Sequence, residues 1–528
     1  MIELTGTGTL TRFILRRDRL RILVWIGSIF LLEYMSAAST KGIYHTQADL
    51  DKAAAAVHGN AAAIALNGPD QALDTMGGQI VFQIGTFGLV LVALMAIFMI
   101  GRETRLEEET GRAEFIRAMA VGRHASAAAA LIVVSGMSAA VGALETLSLL
   151  SLDVPAEGSV LFGVSSFVLG LVFAGVALVA AQLTENTRVA LGGAGAVVGA
   201  AYVLRAAGDI GDGNLTWLSP IGWAQKTRPF AGDRWWPLII SAVAAAALIA
   251  AGAVLSTRRD VDAGFVRPRP GRRVAAPSLG RPLGLAVRLQ RAALIWWSIA
   301  MFLTGAAYGW IANDVEDFVG DNEAMQEVMN RLGGASLVDS YLSMVMFMVA
   351  LVAAGFAVQS TLRLRGEESA LHAEPVLATP VSRGRWIVSH LTIALAGSVI
   401  VLAAGGLGCG LVYGITIGDL GQVPRMIGVA LAYAPALWLL AGIAMLLFGA
   451  VPRGAAIAWG AFAACFVIGL LGEIFEFPGW VLDASPFQHI PQLPGASLTI
   501  VPLAVLTAAS AALAGAGLLA FHRRDAGY

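Results

Sequence analysis

Long apolar stretches alternate with shorter polar ones along the whole chain. Apolar runs cover roughly 22–38, 79–100, 125–150, 159–183, 189–207, 236–256, 292–312, 341–361, 389–415, 426–450, 455–474 and 500–520. A bilayer core of about 30 Å takes roughly 20 apolar residues of helix to cross. Each run therefore predicts a spanning helix, and the expected fold class is an all-α polytopic membrane protein with 12 transmembrane helices.

Composition agrees with that reading. The chain has 528 residues, 57% hydrophobic and 13% charged, where soluble domains carry about 25% charged residues. Both cysteines, Cys409 and Cys465, fall inside apolar runs, which argues against a disulfide framework or a metal cluster. A net charge of −1 says little about partners, and no nucleic acid is expected among them. With the N-terminus inside, the inner segments hold 27 of the 35 basic residues, so both termini are predicted to be cytoplasmic, in a bacterial plasma membrane. A cleaved signal peptide is the competing reading of the first helix, but its removal would invert that balance or leave an odd number of spans.

The chain also repeats itself. The segment RLEEETGRAEFIRAMAVGR at 105–123 aligns without gaps with RGEESALHAEPVLATPVSR at 365–383, with eight identities in nineteen positions. Arg188 matches Arg453, and Arg258-Arg259-Asp260 matches Arg523-Arg524-Asp525. Arg16 and Arg19 before the first run have counterparts in Arg288 and Arg291 before the seventh. Each half is thus a six-helix bundle of the same topology, 1–256 and 292–528, joined by a basic Pro- and Gly-rich linker over 257–291.

Between the second and third runs, 102–124 is polar and free of proline, which predicts a short helix along the membrane face. In the second half, Pro375 and Pro380 confine any such helix to the part before Glu374. One reading is a solvated loop whose arginines set topology. Topology needs arginines but not glutamates, however, and the same glutamates stand in both halves, which favours a surface for a protein partner.

Six helices per half, a basic amphipathic lead-in, and an E-E-x(5)-E segment running into PVSR resemble the permease subunits of ATP-binding cassette (ABC) transporters. The nearest likeness is to the type-2 permeases of the polyketide-antibiotic and multidrug exporter group, with two fused six-helix halves, in the structural class of type-V exporters. The resemblance implies coupling segments that dock a separate ATPase, Glu107, Glu108, Glu114 and Arg123 in one half and Glu367, Glu368, Glu374 and Arg383 in the other. The first half departs from PVSR, reading AVGR. It also implies connecting helices at Arg16, Arg19, Arg288 and Arg291, and two copies of the ATPase partner, which would carry ATP and Mg.

No ATP-cradling G-x-x-x-x-G-K-[ST] loop is present, since none of the three lysines follows a glycine, and no cofactor or catalytic residue is expected in this chain. The resemblance places a substrate path along the second, fifth, eighth and eleventh helices. Its candidates are Phe82, Gln83, Phe87, Tyr202, Met344, Phe347, Met348, Trp459, Phe462 and Phe466, which suit a lipophilic small-molecule cargo, against the alternative of ordinary packing or lipid contact. It also implies re-entrant outer gates at Ser219-Pro220 and Ser485-Pro486, where interfacial tryptophan anchoring is the alternative. The outer loop 313–340 is acidic. Glu33 and Glu145 are the intramembrane carboxylates, read as snorkelling or paired near the outer interface. A proton-driven exporter working through them, or a non-transporting scaffold or enzyme, are the other functional readings.

Overall fold

The computed structural model describes residues 2–260, 263–266, 273–320, 337–472 and 477–524. Among these no strand occurs, and twelve helices are long and apolar enough to span a membrane. The chain divides into two compact units, Met1–Gly271 and Arg272–Tyr528, with six of these helices in each.

In the first unit the spanning helices are Arg19–Ile43, Met76–Glu109, Ala125–Ser151, Ala156–Leu183, Thr187–Ile210 and Pro237–Thr257. The second and fourth are apolar on all sides and form the interior, whereas the first, fifth and sixth are covered far less. Small residues set how closely they pack. A Cβ on Gly142 would lie 2.2 Å from the carbonyl oxygen of Gly163, and one on Gly163 equally close to that of Gly142, so the third and fourth helices cross backbone against backbone. Asn186 starts the fifth helix by accepting hydrogen bonds from the backbone N–H of Arg188 (2.9 Å) and Val189 (3.3 Å). The helix Thr7–Arg17 precedes the first span. The loop after that span folds into Gln47–Val57, opened by a Thr46/Asp49 capping box, and Ala61–Asn67.

In the second unit the spans are Pro282–Ala312, Val338–Ser369, Arg383–Ile417, Gln422–Ala450, Pro452–Leu470 and Ile500–Arg523, again with the second and fourth innermost. Here the first and third helices run against each other at glycines. A Cβ on Gly305 would meet the carbonyl oxygen of Gly405 at 2.0 Å, and one on Gly408 that of Phe302 at 2.0 Å.

Three expectations change. The polar segment after the second run is not one helix along a surface: the second span continues through a π-turn at Arg102–Leu106 to Glu109, and a separate short helix occupies Arg112–Arg117. In the second unit the corresponding helix is Ala373–Leu377, with Pro375 inside it. Pro375 sits in the first turn, where no intrahelical donor is needed, so it does not end the helix. Finally, the helix containing Arg288 and Arg291 is continuous with the first span of its unit from Pro282, so the lead-in there is no separate element. In the expected linker, Phe265 and Val266 donate backbone hydrogen bonds to the carbonyls of Gln182 (3.3 Å) and Leu183 (2.8 Å). Of the acidic loop, Asp339 is held by both of its oxygens, at 2.9 Å, by Arg425. Asp321, Glu323 and Glu327, and the side chains of Asp314, Glu316 and Asp317, lie outside the described residues.

Candidate functional site

At one end of the first unit the charges of the repeated segment turn inward. The extended second span carries Glu103, Arg105, Glu107 and Glu108 into buried positions. Arg259, just past the sixth span, donates through one Nη to both oxygens of Glu108, at 2.9 and 2.7 Å, and through Nε to Gln182 at 2.6 Å. Arg105 binds Glu108 at 2.7 Å. Arg17, ending the lead-in helix, reaches Glu103 at 2.5 Å and Glu107 at 3.0 Å. Beside it Asp18, 1% exposed, accepts from Arg17 (2.8 Å), Arg102 (3.0 Å) and Arg21. Burial pushes the Asp18 carboxyl up, but hydrogen bonds from Arg17 and Arg21 and the charges of Arg102 and Arg17 outweigh it and hold it at about 2. Glu109 accepts from the backbone N–H of Thr187 at 2.8 Å, at the start of the fifth span.

The second unit repeats part of this construction. Glu368 accepts through Oε2 from Arg365 at 3.2 Å and from Arg524, at the end of the sixth span, at 3.0 Å, and its Oε1 lies 2.9 Å from the same Arg524 nitrogen. The Arg524 guanidinium also lies over the rings of Phe448 and Phe521, at 5.0 and 4.8 Å. Glu367 pairs with Arg363 at 2.5 Å and lies 3.3 Å from His372. A further correspondence closes each cluster. Arg123, before the third span, donates to the carbonyl of Ser256 at 3.0 Å, and Arg383 donates to that of Arg524 at 2.9 Å. In both units one carboxylate thus joins the second span to the sixth, and one arginine joins the third span to the sixth. Breaking a buried pair on one side costs about 3–5 kcal/mol, so these joints hold the helix ends firmly.

The structure places Glu107, Glu108, Glu367 and Glu368, which were expected in coupling segments that dock a partner, away from any exposed face. All four are buried and hold arginines of their own unit, because the second span runs on as helix and carries them under the short helix. What faces outward is the short helix itself, with Glu114 and Phe115 exposed in the first unit and Glu374 and Pro375 in the second. Of the expected connecting residues, Arg16, Arg19, Arg288 and Arg291 are exposed, and Arg17 and Asp18 make the contacts instead. The repeated Arg-Arg-Asp at 258–260 and 523–525 was the sequence signal for Arg259 and Arg524, but nothing in it named Glu108 and Glu368 as their partners.

At the other end of each unit lie the expected gates. Ser219, fully buried, caps Pro220–Gln225 by accepting from the N–H of Gly222 (3.1 Å) and donates to the carbonyl of Ala201 (2.6 Å). Ser485 and Pro486 are buried at the start of the turn Pro486–His489, whose Phe487 packs edge-on against Phe347 at 6.3 Å. Among the expected path residues, Phe82 is buried, Gln83 accepts from Thr40 at 2.8 Å, and Phe87, Met344 and Trp459 are exposed. Phe347 and Met348 pack against the second unit's core, and Trp459, Phe462 and Phe466 form successive ring contacts along one helix. Tyr202 donates to the carbonyl of Leu66 at 2.8 Å and lies under Arg205, which is fully buried and donates to the carbonyls of Ile64 (3.1 Å) and Leu66 (2.7 Å). Tyr202 and Arg205 thus anchor the loop helix Ala61–Asn67. A lone arginine near the end of an apolar run was the available signal for Arg205.

Comparison with known proteins places this construction. Residues 279–522 match a family model described as the C-terminal domain of the multidrug efflux system permease Rv1217c. The chain is also 42% identical to the multidrug efflux system permease protein Rv1217c of Mycobacterium tuberculosis, over 99% of its own length and 95% of that protein's. With twelve candidate spanning helices and that likeness along nearly its whole length, this chain belongs to the family of multidrug efflux system permeases.

Proposed function

We propose that this chain is the membrane permease of an ABC exporter, moving lipophilic compounds outward across a bacterial plasma membrane with energy from two copies of a separate ATPase. The observation that carries the reading is the joint built twice, Arg105–Glu108–Arg259 and Arg365–Glu368–Arg524, each beneath a short exposed helix. A push on Arg112–Arg117 or Ala373–Leu377 passes through such a joint to the second and sixth spans together, which is what a docking motor requires of a permease. In this reading the short helices face the cytoplasm and dock the ATPase through Glu114, Phe115, Glu374 and the ends near Arg123 and Arg383, while Glu107, Glu108, Glu367 and Glu368 transmit force. ATP and Mg bind the partner. The aromatic and methionine side chains named along the spans give the cargo its apolar contacts, and the segments at Ser219-Pro220 and Ser485-Pro486 close the far end.

The test is copurification of the full chain with its ATPase and comparison of Phe115→Asp with Glu374→Arg. Loss of bound ATPase in these variants, with thermal unfolding of the permease unchanged, is the expected result. Retention of the ATPase in both variants overturns the docking assignment.

A further inference from the structure

The first unit holds a pair of carboxyl groups that neither the joints nor the proposed coupling uses. Glu33 on the first span and Glu145 on the third are 5% and 2% exposed. They lie against each other, with Ser166 of the fourth span beside Glu145. No oxygen of either group makes a well-formed hydrogen bond. From the second span Gly88 approaches so closely that a Cβ there would stand 1.8 Å from Glu33 Oε1, so a larger residue at that position would have to displace the Glu33 carboxyl group. No lysine, arginine or histidine among the described residues lies within ion-pair distance. Lys41, farther along the first span, is held by the carbonyl of Leu152 and by Asp153, each at 2.9 Å.

The internal repeat shows what this crossing looks like without the pair. The register that aligns Arg16 and Arg19 with Arg288 and Arg291 puts Gly305 opposite Glu33, and the register of the repeated segment puts Gly405 opposite Glu145. In the second unit those two glycines meet backbone to backbone. The same crossing is thus sealed by glycine in one unit and filled by two acids in the other. Two carboxylates in contact, without a counter-charge and inside an apolar bundle, cannot both be ionised: like charges at that distance push one group to bind a proton, and an uncompensated charge in a membrane span is costly.

We propose that Glu33 and Glu145 form a proton-binding site in the first unit, holding one exchangeable proton between them. While the proton is bound the first, second and third spans close around the pair. Its loss puts a second negative charge into the crossing and drives the first span away from Gly88 and Glu145. The site needs no cargo and no ATPase, so it stands or falls separately from the transport reading.

The test is infrared difference spectroscopy of the full chain in lipid nanodiscs at neutral pH, counting protonated carboxyl groups from their C=O stretch in the native protein and in Glu33→Gln/Glu145→Gln. Loss of one protonated carboxyl per chain in the double variant is expected. Loss of none means that both acids are ionised, and loss of two means that each holds its own proton; either overturns the site. Should the double variant fail to fold, labelling of the native chain with dicyclohexylcarbodiimide, which reacts with protonated carboxyls in apolar surroundings, decides the matter. One label per chain across Glu33 and Glu145, declining as pH rises, is expected, and no label or two labels overturns the proposal.

Discussion

In the first unit Asp18 stands where the lead-in helix meets the first span and gathers three arginines. In the second unit the register of Arg16 and Arg19 against Arg288 and Arg291 puts Gln290 in that place. Gln290 is buried and neutral, accepting a hydrogen bond from Ser360 and sharing one with His390 at 3.2 Å. Glu103, which holds Arg17, is matched by Arg363, which instead holds Glu367 within its own helix. The joint around Glu108 and Glu368, by contrast, is the same in both. Duplication has kept what ties the second span to the sixth and changed what ties the lead-in to the second. The first unit fastens a separate lead-in helix by charge. The second has made the lead-in part of a long span and needs only neutral hydrogen bonds there.

The comparison breaks most readily at the shared joint. Glu108→Ala and Glu368→Ala each withdraw the anion held by two arginines, and a loss of about 3–5 kcal/mol is expected for a buried pair. Thermal unfolding of the full chain in detergent should fall more for Glu108→Ala, because Arg105 and Arg259 have side chains 1% and 7% exposed, whereas Arg365 and Arg524 have 31% and 17%. An equal fall would mean that burial does not set the strength of the joint.

A smaller effect distinguishes the two helix crossings. Gly305→Ala forces a methyl into the carbonyl of Gly405 and should cost about 1–3 kcal/mol through overpacking. Gly27→Ala on the first span of the other unit meets nothing within 4 Å and should leave the unfolding temperature unchanged or slightly raised.

The charged lead-in should also show itself in pH. The Asp18 carboxyl is held at about 2 in the folded chain, below the usual carboxylate value of about 3.9. A depressed carboxylate stabilises above its unfolded value and loses that contribution as pH falls through the folded one. Protection against hydrogen exchange over Thr7–Arg17, relative to the unfolded chain at the same pH, should therefore fall as pH drops from about 4 toward about 2, and Asp18→Asn should remove that dependence. The smallest effects are expected for Arg123→Ala and Arg383→Ala, each losing one hydrogen bond to a helix-end carbonyl worth about 0.5–1.5 kcal/mol, less where Arg123 is exposed to water. Faster exchange confined to the last turn of the sixth span of the affected unit would register it.

Much of this was legible in the sequence. Hydrophobic runs gave twelve spans whose observed ends are mostly within a few residues of those expected, and the aligned segments showed which polar residues recur. The direction in which those residues point was not legible. Glu107 and Glu108 sit in a polar stretch that reads as a surface, and only the continuation of the second span through a π-turn, with Arg17 and Arg259 arriving from distant parts of the chain, turns them inward. Glu33 and Glu145 stood out as charges in apolar runs, but their contact, 112 residues apart along the chain, depends on how the first and third spans cross.

The central claim, that an external ATPase drives this permease through the short helices, is tested most directly by transport in proteoliposomes containing the full chain and its ATPase. ATP-dependent movement of a lipophilic dye is expected, abolished by Phe115→Asp together with Glu374→Arg in the permease, with no transport when only a pH gradient is supplied. Dye movement driven by the pH gradient without ATP, or unchanged ATP-dependent transport in the double variant, would contradict it.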